Sequence, residues 1–433
     1  MTTAPVSLSV SSGVVGKGLE EGFLSRGEIH SLVADGLSRL DLRGLRVLVL
    51  IPDGTRTMPM PFLFGILEEE LLPQVKKLDF LVATGTHSPM SDEQLSMHTG
   101  RKVINGRTGT ISIFNHDGTD PAALATLGLI PADEIAALSA GLLREDVPVR
   151  LNRAILDYDF ILICGPVFPH EVAGFSGGTK YLFPGIAGNE IINFTHWLGA
   201  MITSFDTIGV ADTPVRRVID RAAAMAPKPC SLIALVTHHA GVGGVYCGPM
   251  HEAWHAAATL SSARHVVTLA SPVSRILAVM PEMYSDLWTG AKGMYKSEPA
   301  VADSGEVVIY APHIREVSHV HGRLIREIGY HCRDYFVAQW DRFRDYPGGI
   351  LAHSTHVKGK GTYDSATGTE KPRIRVTLAT GIPEEVCRSI NLGYLDPQCV
   401  DPDDWRARAD EGWLVVPRAG EMLYRAGRAA SQR

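Results

Sequence analysis

The sequence predicts an α/β protein of two α/β domains, with a mostly parallel sheet in the larger, N-terminal domain. Short apolar runs alternate with segments of helical composition, a pattern typical of parallel sheets covered by helices on both faces. The chain of 433 residues also exceeds one ordinary domain, since domains usually hold about 100–200 residues. We predict an N-terminal catalytic and cofactor domain at 1–267 and a smaller C-terminal domain at 268–395. Residues 396–433 are expected to return to the first domain, and an active-site cleft is expected between the two domains.

The predicted strands of the first domain are apolar runs that end at glycine, proline, threonine or histidine residues. These runs are Leu45–Ile51, Leu78–Ala83, Phe160–Cys164 and Leu232–Val236. Helical composition marks Phe62–Leu72 and Glu252–Leu260, and Ser91 with Gln94 fits a capping box that would begin another helix.

The second domain shows the same alternation of strands and helices. Its predicted strands are Ile276–Met280, Val307–Tyr310 and Arg375–Leu378, and its predicted helices are Leu287–Met294 and Asp334–Arg344. The polar stretch Lys358–Lys371 resembles a hairpin, and its start, Lys358–Gly361, is expected to be a mobile, solvated turn. The last segment contains the apolar run Trp413–Val416.

Composition excludes several classes of partner. With 45% apolar and 20% charged residues, a net charge of −6 and a pI near 6.3, the chain gives no electrostatic reason to expect nucleic acid or an anionic membrane surface. The six cysteines form no CxxC pair, and the N-terminus lacks the basic and apolar regions of a signal peptide. We therefore expect a cytoplasmic protein with reduced cysteines, and we leave open whether it forms a homo-oligomer.

Arg56, His87 and His170 each follow the end of a predicted strand, at the edge where open α/β sheets bind their ligands. Imidazole, with an ordinary pKa near about 6.5, can act as an acid or a base at neutral pH. Arg56 can bind both oxygens of a carboxylate, and Asp53 can orient its guanidinium. The alternatives are that the histidines only cap turns and that Arg56 forms a surface ion pair.

Lys180 follows a glycine-rich turn, Gly177-Gly178-Thr179. This is not a P-loop, because Thr179 precedes the lysine and Tyr181 follows it. The turn instead offers backbone N–H donors beside an amine that can bind a phosphate or form a covalent adduct. The alternative is a solvated loop lysine.

His170, Lys180 and His196, embedded in AGFSGG-K and PGIAG, together with Asp53-Gly54-Thr55-Arg56 and Ala83–His87, resemble the nickel-dependent lactate racemase family. The resemblance extends, with gaps, from about Leu45 to the 390s. It implies a racemase or epimerase of a 2-hydroxy acid, in which hydride moves reversibly to a nickel-pincer nucleotide. That cofactor is a pyridinium mononucleotide whose ring carbon and two sulfurs hold nickel, and other enzymes would have to make it.

The resemblance also implies roles for particular residues. Lys180 would carry the cofactor covalently and His196 would be the fourth nickel ligand, a donor set that suits square-planar Ni(II). His87 and His170 would be the acid and base on opposite faces of the substrate. The remaining assignments are cofactor contacts and substrate contacts: Asp53, Thr55, Gly177 and Gly178 for the cofactor, and Arg56, Lys292, Trp288 and Thr289 for the substrate.

Two positions depart from the family pattern. Trp288 stands where an aromatic hydroxyl residue is expected, and Thr289 stands where lactate-specific members carry an amide. Because polar groups of a pocket set discrimination, the substrate can be lactate, malate, a sugar acid or a larger acid.

Two other functions compete with this one. His251–His255 matches H-E-x-x-H, the helical motif of zinc hydrolases. No matching third ligand follows it, so an amphipathic helix with Ala253, Trp254 and Ala257 packed inward is the alternative. The third possibility is a non-catalytic protein that binds an organic acid or a nucleotide on the same fold.

Overall fold

The computed structural model describes residues 13–85 and 87–427. The chain divides into two compact units. The first comprises Met1–Phe168, Phe175–Ile192 and Arg216–Arg264, and the second comprises Pro169–Gly174, Asn193–Val215 and His265–Arg433. Two segments that we predicted for the first domain, 169–174 and 193–215, therefore belong to the second unit.

The first unit is built on an eight-stranded sheet. In spatial order its strands are Val15–Gly18, Gly241–Gly248, Cys230–His238, Phe160–Pro166, Arg46–Ile51, Lys77–Val82, Ile111–Asn115 and Arg107–Thr108. The five strands from Cys230–His238 to Ile111–Asn115 are parallel, and the outer pairings are antiparallel. The predicted fold class, with its mostly parallel sheet, is thus confirmed.

The first unit also contains helices and a smaller antiparallel ribbon. Three helices of the first unit, Met60–Leu71, Asp92–Thr99 and Met250–His265, match predicted segments, and Ser91 and Gln94 form the predicted capping box. The helices are Arg26–Ser38, Met60–Leu71, Asp92–Thr99, Ala132–Leu138, most of Pro214–Ala223 and Met250–His265. The ribbon is Leu124–Ile130 with Val147–Asn152. A second short ribbon pairs Pro169–His170 with Gly174–Phe175, and its residues 169–174 belong to the second unit. Side chains of the central strands are fully buried, which explains why these strands appear as continuous apolar runs.

The second unit contains a five-stranded sheet that is parallel throughout. In spatial order its strands are Gly393–Tyr394, Arg375–Thr380, Val301–Ala311, Val273–Val279 and Trp413–Val416. Its helices are Ser204–Thr207, Leu287–Gly290, Lys292–Tyr295, Gly322–Ile328, Arg333–Ala338, Trp340–Phe343, Gly348–Lys358, Glu384–Ser389 and Pro402–Ala407, and Asn189–Ile202 lies mostly in this unit.

Two predicted helices of the second unit are interrupted. The segment predicted as Leu287–Met294 divides at Ala291, and the segment predicted as Asp334–Arg344 divides at Gln339, whose backbone leaves the helical region at φ −121° and ψ 34°. Helical composition alone does not show such local breaks.

The C-terminal segment corrects our prediction that residues 396–433 return to the first domain. Trp413–Val416 pairs with Val273–Val279 at the edge of the second sheet, and Leu423–Ala426 pairs with Val266–Leu269. An edge strand has unpaired backbone groups that a further strand satisfies. Arg275 adds to the attachment, since its guanidinium carbon lies 4.3 Å from the ring centre of Trp413.

The predicted hairpin is confirmed as an antiparallel pair, Gly361–Asp364 with Thr369–Pro372. The expected solvated turn before it is wrong for Lys358, whose half-buried amine donates to the carbonyl of Asn391 at 2.7 Å. Within residues 13–85 and 87–427, no helix combines the length and the apolar character that a membrane crossing requires.

Candidate active site

The parallel strands of the first unit bring three predicted loops to one edge of the sheet. The strands ending at Ile51, Val82 and Pro166 run in the same direction, so the segments that follow them start at the same edge. The backbone N–H of Gly85 donates to the carbonyl of Gly185 at 3.1 Å. This bond joins the loop that precedes His87 to the loop that follows Lys180. Thr86 lies outside the described residues.

Asp53 is the centre of a hydrogen-bond network at this edge. The residue is 5% exposed. Its Oδ2 is 2.5 Å from Nδ1 of His87, and its Oδ1 accepts from the backbone N–H of Thr55 at 2.9 Å and from the Thr55 hydroxyl at 2.5 Å. Arg56 joins the network because its Nη1 donates to the Thr55 hydroxyl at 2.8 Å. One chain of bonds therefore connects His87, Asp53, Thr55 and Arg56.

The charge state of Asp53 follows from these contacts. Burial opposes ionisation, but the charge and hydrogen bond of His87, the charge of Arg56 and the Thr55 hydroxyl together hold the pKa of Asp53 well below its ordinary value. An ionised Asp53 accepts from Nδ1–H of His87. When the ring is neutral, this bond places its proton on Nδ1 and leaves Nε2 free of a proton, so Nε2 can accept one.

Arg56 has a partly apolar surrounding. Its guanidinium carbon lies 5.7 Å from the ring centre of Phe168. Tyr181 is buried nearby, and burial raises the pKa of its hydroxyl far above the ordinary value while Arg56 opposes that shift. Tyr181 is therefore a neutral hydroxyl beside a fixed cation.

Lys180 lies in a short turn, Gly178–Tyr181, that directly follows Gly177. Gly177 and Gly178 have φ values of 77° and 63°, which favour glycine. A Cβ atom on Gly178 would lie 2.8 Å from the indole of Trp254. The turn is thus packed tightly, and Lys180 is half-buried within it.

Two side chains that we did not assign to the site hold this turn. Arg216 is buried and donates to the carbonyls of Phe175 and Gly177 and to the hydroxyl of Thr179. Burial lowers its pKa to about 10, although Asp220 opposes the shift, so Arg216 is charged at neutral pH. Arg216 also lies over the Trp254 ring, 4.3 Å from its centre. Nothing local in the sequence marks Arg216, because its partners are distant along the chain.

Trp254 belongs to the helix that carries the H-E-x-x-H match. Its Nε1 donates to the carbonyl of Ser176 at 2.8 Å, and its ring supports Gly178. Ala253, Trp254 and Ala257 are buried as predicted, whereas His251 and His255 are exposed. In the described part of the chain, neither histidine belongs to a group of three metal-capable side chains with ligand atoms within 4.8 Å of one another. The helix therefore supports the Lys180 turn.

His170 lies in the second unit and is buried. Its Nδ1 accepts from the backbone N–H of Val172 at 3.1 Å. The Glu171 carboxylate is 3.4 Å from the same nitrogen, but the backbone donor already uses the Nδ1 lone pair. This geometry assigns the proton of the neutral ring to Nε2. His170 thus has the opposite tautomer to His87.

The other predicted residues of the second unit gather around His353, which the sequence did not single out. The Trp288 ring stacks on His353 at 4.0 Å between ring centres. Burial and then the charges of His356, His321, Lys292 and His196 lower the pKa of His353 well below its ordinary value. His196, Lys292 and Trp288 therefore share one neighbourhood.

Thr289 and Lys292 take different positions in this neighbourhood. The Thr289 hydroxyl donates to the Asp286 carboxylate at 2.7 Å, as part of the cap that begins the helix Leu287–Gly290. The amine of Lys292 is 3.4 Å from the Thr289 carbonyl and 4.9 Å from the ring centre of Tyr284. Trp288 lacks the hydroxyl that the family pattern has at its position, but Tyr284 provides an aromatic hydroxyl residue close to Lys292.

The chain matches known proteins along most of its length. Residues 30–207 match the lactate racemase N-terminal domain family. The lactate racemase of Thermoanaerobacterium thermosaccharolyticum is 22% identical over 271 residues, which cover 61% of this chain and 59% of that protein. The lactate racemase of Lactiplantibacillus plantarum is 28% identical over 165 residues, 38% of this chain and 35% of that protein. The matched regions thus span little more than half and about a third of these curated relatives.

Two solved structures share the whole fold. A protein from Thermotoga maritima is 33% identical, with a TM-score of 0.86 and coverage of 94% of this chain and 100% of that one. The lactate racemase apoprotein from Thermoanaerobacterium thermosaccharolyticum is 18% identical, with a TM-score of 0.71 and coverage of 98% and 100%. At that identity the second match is evidence for the fold alone.

Proposed function

Because the chain belongs to the lactate racemase family, we propose that it interconverts the stereoisomers of a small 2-hydroxy acid. The observation that carries the proposal is the network His87–Asp53–Thr55–Arg56 at the carboxyl edge of the first sheet. It couples a proton acceptor to a cation suited to a carboxylate. A 2-hydroxy acid presents both a carboxylate and an ionisable hydroxyl.

His87 is the base in this proposal. Its Nδ1–H is held by a buried, ionised Asp53, which orients the ring and stabilises the imidazolium that forms when Nε2 accepts a proton. The hydroxyl of one stereoisomer would lose its proton to this nitrogen. Removing the proton leaves the oxygen electron-rich, which favours departure of the hydride from the adjacent carbon.

His170 is the complementary acid. Val172 donates to Nδ1 of the neutral ring, so Nε2 is the nitrogen left for the substrate. After the ring has gained a second proton, the imidazolium would donate its Nε2 proton to the oxygen of the opposite stereoisomer and become neutral. In the reverse direction the two rings exchange roles. A turnover would thus start with His87 neutral and His170 protonated and would end with the two protonation states exchanged, which is the starting state of the reverse reaction.

Arg56 and Lys292 are the proposed carboxylate ligands. The guanidinium of Arg56 is fixed by Thr55, so little side-chain entropy is lost when it binds a carboxylate. Lys292 supplies a second cation, with Tyr284 as its aromatic neighbour, and Trp288 stacks on His353 in the same neighbourhood. The aromatic surroundings favour a substrate with an apolar or planar remainder.

The residues fit the cofactor that the family resemblance implies. Gly177 and Gly178 leave no room for side chains beside the half-buried amine of Lys180, and buried Arg216 and Trp254 hold that turn in place. Lys180 would carry the nickel-pincer nucleotide, and His196 offers an imidazole suited to nickel. When bound, this group supplies the hydride acceptor that the side chains of the protein lack.

The test is co-expression of the chain with nickel and cofactor-making enzymes, followed by intact-protein mass spectrometry and chiral analysis of hydroxy acids. The expected result is an adduct mass and racemisation in the wild-type protein and in Lys102→Ala, which removes an exposed lysine of the same unit. Lys180→Ala should lose both signals, and His170→Ala should keep the adduct and lose about 10²–10⁴ in rate. A loaded and active Lys180→Ala protein contradicts the proposal, as does stoichiometric zinc that disappears in His255→Ala.

A further inference from the structure

The second unit contains a cavity of about 570 Å³ that none of the proposed catalytic or substrate-binding residues lines. It is formed by the turn after the helix Asn189–Ile202, the start of the helix Arg333–Ala338, the end of the helix Gly348–Lys358 and the hairpin that follows. Small-molecule sites typically have volumes of about 300–1,000 Å³. The cavity is therefore large enough for a sugar-sized metabolite.

Positive charge dominates the lining. Four cationic side chains, Arg333, Lys360, Lys371 and Arg373, face two carboxylates, Asp206 and Asp334, which leaves a net charge of +2. The whole chain carries a net charge of −6. The basic character of the cavity is thus local and does not follow from composition.

The carboxylates do not neutralise all of these cations. Lys360 pairs with Asp206 at 2.9 Å, and Arg333 pairs with Asp334 at 2.8 Å. Lys371 has no ion pair within 4.0 Å among residues 13–85 and 87–427.

Arg373 donates to the carbonyls of Val301 and Glu298, and two carboxylates outside the lining pair with it: exposed Asp303 at 3.1 Å and buried Glu298 at 3.6 Å. Its guanidinium and the Lys360 amine lie over the same Phe205 ring, at 4.8 Å and 5.0 Å from the ring centre. This shared ring holds the two cations beside each other, although like charges repel.

His356 supplies the second, independent observation. It lines the cavity and is 3% exposed, yet neither of its ring nitrogens has a hydrogen-bond partner in the described part of the chain. A buried polar group without a partner is costly, so such groups usually meet a ligand or an ordered water. Burial lowers the pKa of His356 to about 4, while Glu171 opposes the shift, so the ring is neutral at pH 7. It offers one N–H donor and one acceptor.

The backbone at the cavity is also strained. Thr203 lines the cavity with φ 88°, a conformation that costs a non-glycine residue free energy and that is concentrated at ligand-binding sites. Its hydroxyl donates to the same Asp206 oxygen that Lys360 contacts.

We propose that this cavity binds the phosphoryl group of a sugar-sized phosphate monoester, with Arg333, Lys360, Lys371 and Arg373 around the phosphoryl oxygens and His356 bonded to the remainder. A phosphate monoester carries about −1.5 to −2 charges at pH 7, and its oxygens accept charge-assisted hydrogen bonds from lysine and arginine. Lys371, which has no ion pair among residues 13–85 and 87–427, is the cation most available to it. The cavity is larger than a phosphate ion, so it has room for a sugar-sized group attached to the phosphate.

The phosphoryl group has two conceivable sources, the far end of the hydroxy-acid substrate or a separate effector. The helix Gly348–Lys358 bears on this question, since His353 and His356 are three residues apart and so lie on adjacent positions of one helix face. His353 stacks on Trp288, and His356 lines the cavity. The helix Gly348–Lys358 thus contacts both the cavity and Trp288, one of the proposed substrate-binding residues.

Calorimetric titration of the full chain without cofactor tests the site itself. Ribose 5-phosphate and inorganic phosphate should bind saturably, the sugar phosphate more tightly. Lys371→Ala should weaken binding of both ligands about tenfold or more, because it removes a bond to the charged phosphoryl group. His356→Phe should weaken binding of ribose 5-phosphate about tenfold, because it removes hydrogen bonds to the sugar. Lys102→Ala is the matched control and should bind like the wild type.

Thermal unfolding separates a binding defect from a folding defect. His356→Phe loses no hydrogen bond to the described residues, so the ligand-free variant should melt at or above the wild-type temperature, whereas the rise caused by ribose 5-phosphate should be lost. No saturable binding at millimolar ligand, or unchanged affinity in both variants, overturns the proposal.

Kinetics of the cofactor-loaded enzyme distinguish the two sources. If inorganic phosphate inhibits racemisation competitively, the phosphoryl group belongs to the far end of the substrate. If phosphate binds without raising the apparent KM for the hydroxy acid, the ligand of the cavity is a separate effector. The calorimetric titration alone decides whether the site exists, because it does not require an active enzyme. A chain that binds ribose 5-phosphate but never racemises contradicts only the proposed function.

Discussion

Asp53→Asn should disable His87 without removing it. An asparagine Oδ1 can still accept from the backbone and hydroxyl of Thr55, as Asp53 does at 2.9 Å and 2.5 Å. The amide NH₂ that replaces Oδ2, however, cannot accept from Nδ1–H of His87. The ring would then adopt the other tautomer, with its Nε2 protonated, and could not act as a base.

The size of the effect follows from the geometry. The Nδ1–Oδ2 distance of 2.5 Å places the two charge centres roughly 4 Å apart, and at an effective dielectric constant of about 20 a unit charge pair at that distance is worth about 4 kcal/mol. Each 1.36 kcal/mol changes a rate about tenfold. Part of this attraction is lost to solvent screening, so we expect kcat to fall by about 10²–10³.

The assay is the rate of racemisation of the cofactor-loaded enzyme as a function of pH, with intact mass as the measure of loading. Asp117→Asn is the matched control, because Asp117 makes the same pair of bonds to Thr119, at 2.8 Å and 2.6 Å, and contacts no predicted site residue. Because Asp53 is also an expected cofactor contact, kcat is expressed per loaded enzyme in all three proteins. A kcat of Asp53→Asn within twofold of wild type, with the same pH profile, would refute the assignment of His87 as an oriented base.

Three further changes probe the substrate cation, the Lys180 turn and acid stability. Arg56→Lys keeps the charge but loses the planar pair of donors, so KM should rise about tenfold with a smaller change in kcat, as measured by initial rates. Gly178→Ala should lower the melting temperature and the adduct yield, since φ is 63° and the Trp254 indole leaves no space for a Cβ atom. Gly44→Ala is the control: Gly44 has φ 72° but open space around it, so this variant measures only the free-energy cost of the backbone conformation. Burial opposes ionisation of Glu370, but His331 lowers its pKa to about 2 from 4.5. Its stabilising contribution is complete above about pH 5 and is lost as pH falls toward about 2, so Glu370→Gln should flatten the decline of unfolding free energy over that range.

The positions of the strands were predictable, because parallel strands that are buried on both faces appear as apolar runs in the sequence. The predicted runs Leu45–Ile51, Leu78–Ala83 and Phe160–Cys164 correspond to strands in the structure, with the bounds Arg46–Ile51, Lys77–Val82 and Phe160–Pro166. The positions after them were predictable for the same reason, since parallel strands end at one edge. Asp53, Arg56 and His87 do meet there, although Thr55 joins them by a bond that no spacing indicates.

Side chains that act through distant partners were not predictable. Arg216 and Trp254 hold the Lys180 turn from two separate helices, and His353 connects Trp288 to His196 and Lys292. Their partners are far away in the sequence, so only the folded chain identifies them. The C-terminal strand was assigned to the wrong unit for the same reason, because an apolar run does not specify which strand edge it will pair with.

Local chemistry was thus readable in the chain itself: the alternation of strands and helices, the glycines before Lys180 and the residue types that follow each strand. These depend on burial, backbone conformation and functional groups, which are properties of short segments. The tautomers of His87 and His170, the support of the Lys180 turn and the basic cavity around His356 were decided only by tertiary structure. Each of them is set by which donor, acceptor or charge lies within a few ångströms, and folding alone determines that.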